Sequence, residues 1–215
     1  TMTATTICKK TGLNFSTCYR LAEALYINGF LFKDETDKTY SLGWKFMLMS
    51  NARNVAWERI LNDIAPPYMT SLRNLYQENV SIYVQIERKR KCLIRIEGNQ
   101  EVRNIVKQGS IADIHLGSPG KTLLAFLPPE EREKYTEVSD EFAAELDRVR
   151  DAGYCTTTAE KTPGVTSISA PIFNVDGHII GALSLSGPTF RFVSKNFDEK
   201  ISHVMQCAQQ ITSAI

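Results

Sequence analysis

Histidine is scarce in this sequence: His115, His178 and His203 are the three in 215 residues. They stand too far apart for the close spacing by which a zinc site shows itself. Cysteine is hardly commoner, and Cys8, Cys18, Cys92, Cys155 and Cys207 are odd in number, scattered and without a CxxC pair. They read as reduced core thiols rather than a disulfide framework, and neither a metal nor a cofactor is expected. No run of eighteen apolar residues occurs, so nothing reads as a membrane-spanning helix. Thr1-Met2-Thr3 lacks the basic-then-apolar plan of a secretory signal, and a cytoplasmic location is expected. An excess of one charge is missing too, since 25 Lys and Arg against 24 Asp and Glu leave +1. That balance is poor for a nucleic-acid binder taken whole. Present instead is an ordinary globular composition, 43% hydrophobic and 23% charged, enough to bury one large core or two smaller ones.

The charge is unevenly divided. Residues 1–59 carry 8 Lys and Arg against 5 Asp and Glu, or +3, while residues 60–215 carry 17 against 19, or −2. Inside the positive part, ICKKTGLNFSTCYRLAEALYINGF (7–30) reads as two short helices around a tight turn at Gly12. Asn14 is a good N-cap for the second helix. From there Cys18, Leu21, Ala22 and Leu25 recur at helical spacing and predict one buried stripe, with Ile7 and Leu13 also inward. Ser16, Thr17, Tyr19, Arg20 and Glu23 then face outward. Asn14, Ser16, Thr17, Tyr19 and Arg20 are the candidate DNA contacts, because such side chains suit phosphates and base edges. Phe30-Leu31-Phe32 and Thr39-Tyr40-Ser41-Leu42 flank a turn over 34–37 and predict a hairpin wing. Together these make residues 1–42 a winged helix-turn-helix, whose second helix would enter the major groove. A purely structural helix pair gives the same local pattern. The chain starts almost on the first helix of the pair, and an earlier helix of the module is expected to be missing.

Residues 43–60 predict a connecting helix. Trp44, Met47, Leu48, Val55 and Trp57 are more apolar than a spacer requires, so they are expected to pack on a partner chain or on the second domain. Pro66-Pro67 open another helix, ending before Asn79. Val80, Ile82, Val84 and Ile86 alternate with polar residues as a half-buried strand, and Arg88-Lys89-Arg90-Lys91 reads as a solvated hairpin turn before Cys92–Ile96. Ser118-Pro119-Gly120 predicts a helix start, with Ser118 as N-cap and Pro119 in the first helical position. Such a start offers free amides to an anionic or carbonyl ligand, or simply caps a structural helix. Solvated helices follow from Pro128 and over 142–150. Strands are expected over 154–158, 166–173 and 179–186, the last two joined by a four-residue turn, with a closing helix over 195–215.

Three blocks of this order are similar to the IclR family of bacterial transcription regulators: TGLNFSTCYRLAEALYINGF, HLGSPGKTLLAFL and GYCTTTAEKTPGVTSISAPIFNVDGHIIGALSLSGP. The resemblance covers essentially the whole chain. It implies an α+β fold, with a winged helix-turn-helix (1–42), a linker helix (43–60) and a GAF- or profilin-like effector domain (61–215) whose curved antiparallel sheet is flanked by helices. It implies homodimers or pairs of dimers on operator DNA, repression of a catabolic operon, and control by a small organic acid or related metabolite. Carried over by position, the ligand pocket is lined by Ala112, Ser118, Pro119, Thr157, Val165, Ser167, Ser184 and Ser186. Ser184 and Ser186 stand two apart on a strand and so share a face. Family members that sense small acids often have aspartate where Thr157 stands and glycine-alanine where Ser118-Pro119 stand, which leaves open a different acid or a bulkier aromatic or sugar-acid effector. Phe15 takes a place that is often polar in relatives, where its ring meets a thymine methyl or packs internally. An enzyme using the serines over 167–186 with His115 or His178 finds no nucleophile elbow and no acid to orient a histidine. The other competing reading is a small-molecule sensing module that acts by protein association without DNA binding.

Overall fold

The computed structural model describes residues 1–103, 106–134, 139–193 and 196–215, with the backbone alone over 46–55. It divides into two compact units, Thr1–Ala56 and Trp57–Ile215. In the first, strand β1 (Met2–Thr3) leads into helix α1 (Ala4–Thr11), helix α2 (Phe15–Ile27) and the hairpin β2 (Leu31–Asp34) and β3 (Thr39–Leu42). The strands pair antiparallel in the order β1-β3-β2. Gly12 ends α1 with φ +71° and returns its N–H to the Cys8 carbonyl, which allows α2 to follow after two residues. Asn14 caps α2 by accepting the Thr17 N–H at 2.9 Å.

The expected stripe on α2 is only half buried. Cys18 and Ala22 are enclosed, but Leu21 is 51% and Leu25 44% exposed, and Leu13 faces solvent as well. Helical spacing fixes which side chains share a face, and three short strands with one other helix cover too little of that face. Glu23, expected outward, turns in to the hairpin.

Helix α3 (Trp44–Ile64) is shared between the units, and its last turn puts Leu61 into the core of the second. Trp44 is 48% exposed, whereas Met47, Leu48 and Val55 have side chains outside the described residues. The second unit continues with α4 (Pro66–Tyr76), β4 (Asn79–Ile86), β5 (Lys89–Ile96), β6 (Ile111–Asp113), α5 (Gly117–Ala125), α6 (Pro129–Arg132), α7 (Asp140–Ala152), β7 (Cys155–Thr158), β8 (Val165–Phe173), β9 (Ile179–Pro188), α8 (Thr189–Phe192) and α9 (Phe197–Ser213). Its six strands form one curled, wholly antiparallel sheet in the order β6-β5-β4-β9-β8-β7.

Both faces of this sheet are covered. Ile82, Ile168, Ile172, Leu183 and Leu185 meet Leu61, Met69, Leu72, Val204 and Ile211 from α3, α4 and α9 on one face. Tyr83, Cys92, Cys155 and Ala182 meet Leu123 and Leu124 of α5 and Leu146 and Val149 of α7 on the other. β4 is therefore buried on both sides over 79–84, not half-buried as its alternation suggests. The charged turn is also shorter than expected. Ile86 pairs with Lys89, so Glu87 and Arg88 alone make the turn, while Arg90 and Lys91 belong to β5. Lys91 meets Glu58 at 2.8 Å, and Arg90 is 2% exposed.

Candidate functional site

The face of the sheet that carries α5 is polar along two neighbouring rungs. Thr157 of β7, Ser167 of β8, Ser186 of β9 and Asn79 of β4 stand in register across four strands. In the next rung Cys155, Ser169, Ser184 and Ser81 do the same. Strand alternation sends all of them to one side, which explains why β8 gives Ile168 and Ala170 to one core but Ser167 and Ser169 to the opposite face. Ser118 lies over this ladder, with its Oγ 2.8 Å from both Ser167 Oγ and Ser169 Oγ, and Thr157 Oγ1 is 3.1 Å from Ser167 Oγ.

Beside the ladder a cavity opens against the first turn of α5. It is lined by Tyr83, Arg90, Gly117, Pro119, Thr157 and Lys161, with Val165, Ser167, Ser184 and Ser186 among the rest. Its volume is about 40 Å³, room for a few water-sized groups at roughly 10–15 Å³ each. Among the residues expected at a ligand site, the structure thus gathers Pro119, Thr157, Val165, Ser167, Ser184 and Ser186 around one space. Ser118 is fully buried behind it, bonded to the ladder. Ala112 lies on the edge strand β6 as the register partner of Arg90, outside the lining.

The start of α5 differs from its sequence signature. Ser118 is not the N-cap: the helix begins at Gly117, the capping position is Leu116, and no side chain caps it. Its first amides are used by other partners. The Gly117 N–H donates to Glu160 Oε1 at 3.1 Å and the Ser118 N–H to Thr157 Oγ1 at 3.0 Å. Lys121 fixes the other oxygen of Glu160 at 2.8 Å and Glu145 at 2.7 Å. Burial weakens its charged form, but the two carboxylates outweigh this and hold the Lys121 ammonium above the usual lysine range.

Arg90, Tyr83, Glu160 and Lys161 were not foreseen at this place. The one signal for Arg90 was alternation, which puts it on the same strand face as the buried Cys92. The Arg90 guanidinium lies over the Tyr83 ring, 4.7 Å from its centroid. Desolvation pushes the Tyr83 hydroxyl up and opposes the charge on Arg90. His115 and His178 are exposed and do not line the cavity.

In the first unit, Asn14, Ser16, Thr17, Tyr19 and Arg20 are all exposed on α2. Phe15 does not pack internally. It is 57% exposed and stacks on Tyr19 with centroids 6.2 Å apart. Lys33 of β2 sits 5.9 Å from the Tyr19 ring centroid, so the hairpin borders the same helix face. Among the described residues no helix is long and apolar enough to cross a membrane, and no group of three or more His, Cys, Asp or Glu could hold a metal ion.

A family model described as "Bacterial transcriptional regulator IclR C-terminal" matches residues 55–213, nearly the whole second unit. The HTH-type transcriptional regulator KipR of Bacillus subtilis is 26% identical, over 100% of this chain and 90% of that protein. The HTH-type transcriptional repressor AllR of Escherichia coli is also 26% identical, over 94% of this chain and 79% of its own length. The crystal structure of the Thermotoga maritima IclR, 22% identical, has the same fold with a TM-score of 0.67, covering 99% of this chain and 90% of that one. These relatives are transcription regulators and not enzymes. The chain belongs to the IclR family of bacterial transcriptional regulators.

Proposed function

We propose that this regulator is a ligand-responsive repressor of a catabolic operon, controlled by a small organic acid or related metabolite. Residues 1–42 bind operator DNA as a winged helix-turn-helix, residues 43–60 link, and residues 61–215 hold the effector. The observation that carries this reading is the pairing, in one chain, of a solvent-facing polar helix face with a polar cavity that performs no evident structural task. Asn14, Ser16, Thr17, Tyr19 and Arg20 supply phosphate and base-edge partners. The cavity supplies the second site. An effector favours one of two conformations of a homodimer, or of a dimer of dimers, by the difference in its affinity for them, and so changes the affinity for DNA in the cytoplasm.

Fluorescence anisotropy with the upstream DNA tests it. Arg20→Ala should weaken operator binding about tenfold or more, in line with roughly 1–3 kcal/mol for a base-reading arginine. Ser184→Ala with Ser186→Ala should keep the bare DNA affinity and lose the effector response. Wild-type protein without salt-sensitive DNA affinity would favour the association module instead.

A further inference from the structure

Two of the five thiols face each other inside the first unit. On α1 the residues not left to solvent are Ala4, Ile7 and Cys8, spaced three and four apart and therefore on one face. That face meets Cys18 and Ala22, the buried residues of α2. Apart from Ile7 the side chains at this crossing are small, which lets two helix backbones approach more closely than bulkier contacts do. The Cys18 thiol donates to the Ala4 carbonyl at 3.7 Å. That carbonyl belongs to the turn directly before Cys8, the turn over which a helical side chain leans. The Cys8 and Cys18 sulfurs are accordingly neighbours within hydrogen-bonding reach, and that contact first and burial second push the Cys18 thiol above the ordinary cysteine range. Neither is in a disulfide; Cys18 is buried, whereas Cys8 is half-buried and within reach of a small oxidant. The other three thiols are placed differently. Cys92 and Cys155 are buried on β5 and β7 with three strands between them, and Cys207 is buried on α9 against the opposite face of the sheet.

We propose that Cys8 and Cys18 are a modification site, oxidised by a peroxide to a disulfide that lowers operator affinity and is reversed by a dithiol. The consequence for DNA rests on the reading of residues 1–42 as the operator-binding unit. The more exposed Cys8 reacts first. Its sulfur attacks a peroxide oxygen, an S–O bond forms, the O–O bond breaks, and Cys8 becomes a sulfenic acid while water leaves. The Cys18 sulfur then attacks the Cys8 sulfur: an S–S bond forms, the S–O bond breaks, and the hydroxyl leaves with the Cys18 proton as water. Two thiols lose two electrons, and one hydrogen peroxide becomes two waters. A disulfide holds its sulfurs about 2.05 Å apart, well inside the contact of two thiols, so closing the bond draws α1 and α2 together. Asn14, Ser16, Thr17, Tyr19 and Arg20 move with α2 relative to the hairpin. In a reducing compartment such a bond lasts only while the oxidant does, which suits a reversible signal rather than a structural staple.

Peptide mapping by mass spectrometry tests the bond, on the full chain treated with hydrogen peroxide and then alkylated at its remaining thiols. The expected product joins Cys8 to Cys18 within one chain, disappears with dithiothreitol, and does not form in Cys8→Ser or Cys18→Ala. Both thiols still open to alkylation, Cys8 halted at a sulfenic or sulfinic acid, or a link between two chains would each overturn the proposal. Equilibrated against glutathione, the folded chain should hold the link at a lower ratio of oxidised to reduced glutathione than the same chain unfolded in urea. The reverse order would show that the fold keeps the two sulfurs apart. Fluorescence anisotropy with the upstream DNA then reads the consequence: the oxidised protein should bind about tenfold or more weakly than the reduced one, within the usual range of coupling between two sites. Dithiothreitol should restore the affinity, and Cys8→Ser should not respond to peroxide. Equal affinity of the oxidised and reduced protein overturns the switch. A reduced protein that binds no DNA counts against the reading of residues 1–42 instead, and the mapped bond still decides the site. If a variant fails to fold, the oxidised and reduced forms of the unaltered protein are sufficient.

Discussion

Glu23 accepts hydrogen bonds from Lys33 Nζ at 2.8 Å and from the Tyr40 hydroxyl at 2.7 Å, joining α2 to both strands of the hairpin. Lys33, and then Tyr40, hold its carboxyl below the usual glutamate range. Burial, and then Glu23, push the Tyr40 hydroxyl up to about 12. The signs follow from linkage. A depressed carboxyl contributes stability that is present at neutral pH and is lost as the pH falls through and below the ordinary glutamate range. A raised tyrosine contributes stability that is complete below its ordinary value and is lost as the pH climbs towards about 12. Glu23→Gln keeps an acceptor but removes the charge. Thermal melts of the full chain from pH 7 down to pH 3 should therefore show a lower neutral midpoint and a shallower acid decline for the variant. Parallel declines would mean that Glu23 is not the group that titrates.

Helix α5 is seated by an absence. A methyl group at Gly120 would stand 1.8 Å from the Ile114 carbonyl oxygen, a backbone atom that cannot rotate away, and 3.2 Å from Arg90 Cδ. Gly120→Ala should thus lift the helix from the sheet edge and cost about 1–3 kcal/mol, as overpacking does. Urea unfolding would measure it; a loss well under that range would show that the loop before α5 yields. The same element marks how far sequence reading reaches. Ser118-Pro119-Gly120 correctly announced a helix and placed it within a residue or two, but composition alone could not say which amides were already bonded. The β8–β9 hairpin was legible because Asn174 folds the turn itself, accepting the N–H groups of Asp176 and His178 through Oδ1. Arg90 was hidden by its neighbours. Four consecutive cations look like a solvated loop, and the register Ile86–Lys89 places the third of them inside β5, where alternation with Cys92 turns it inward. Ser184 and Ser186 came from the family resemblance, supported by a spacing of two that gives them a common face, whereas Ser81 and Ser169 required the strand order.

At the scale of the molecule, α3 belongs to both compact units, and the expected boundary after residue 60 falls inside it. Leu61 is fully buried against the sheet. Leu61→Ala should destabilise the second unit by about 2–5 kcal/mol, the usual range for a core leucine truncated to alanine. Hydrogen exchange followed by mass spectrometry should show faster exchange in β8 and β9, with α1 and α2 unaffected. Equal loss in both units would mean that they unfold as one. A different consequence follows from counting protons along the hydroxyl ladder. Ser118 has one hydroxyl hydrogen and gives it to Ser167, so Ser169 must be the donor in its contact with Ser118. The contact between Thr157 and Ser167 uses one of their two hydrogens, and the other is left over at the cavity wall. From Ser169 through Ser118 to Ser167 the hydroxyls are therefore polarised in one direction. Whatever enters meets a surplus hydrogen there, and an oxygen with lone pairs is what can receive it.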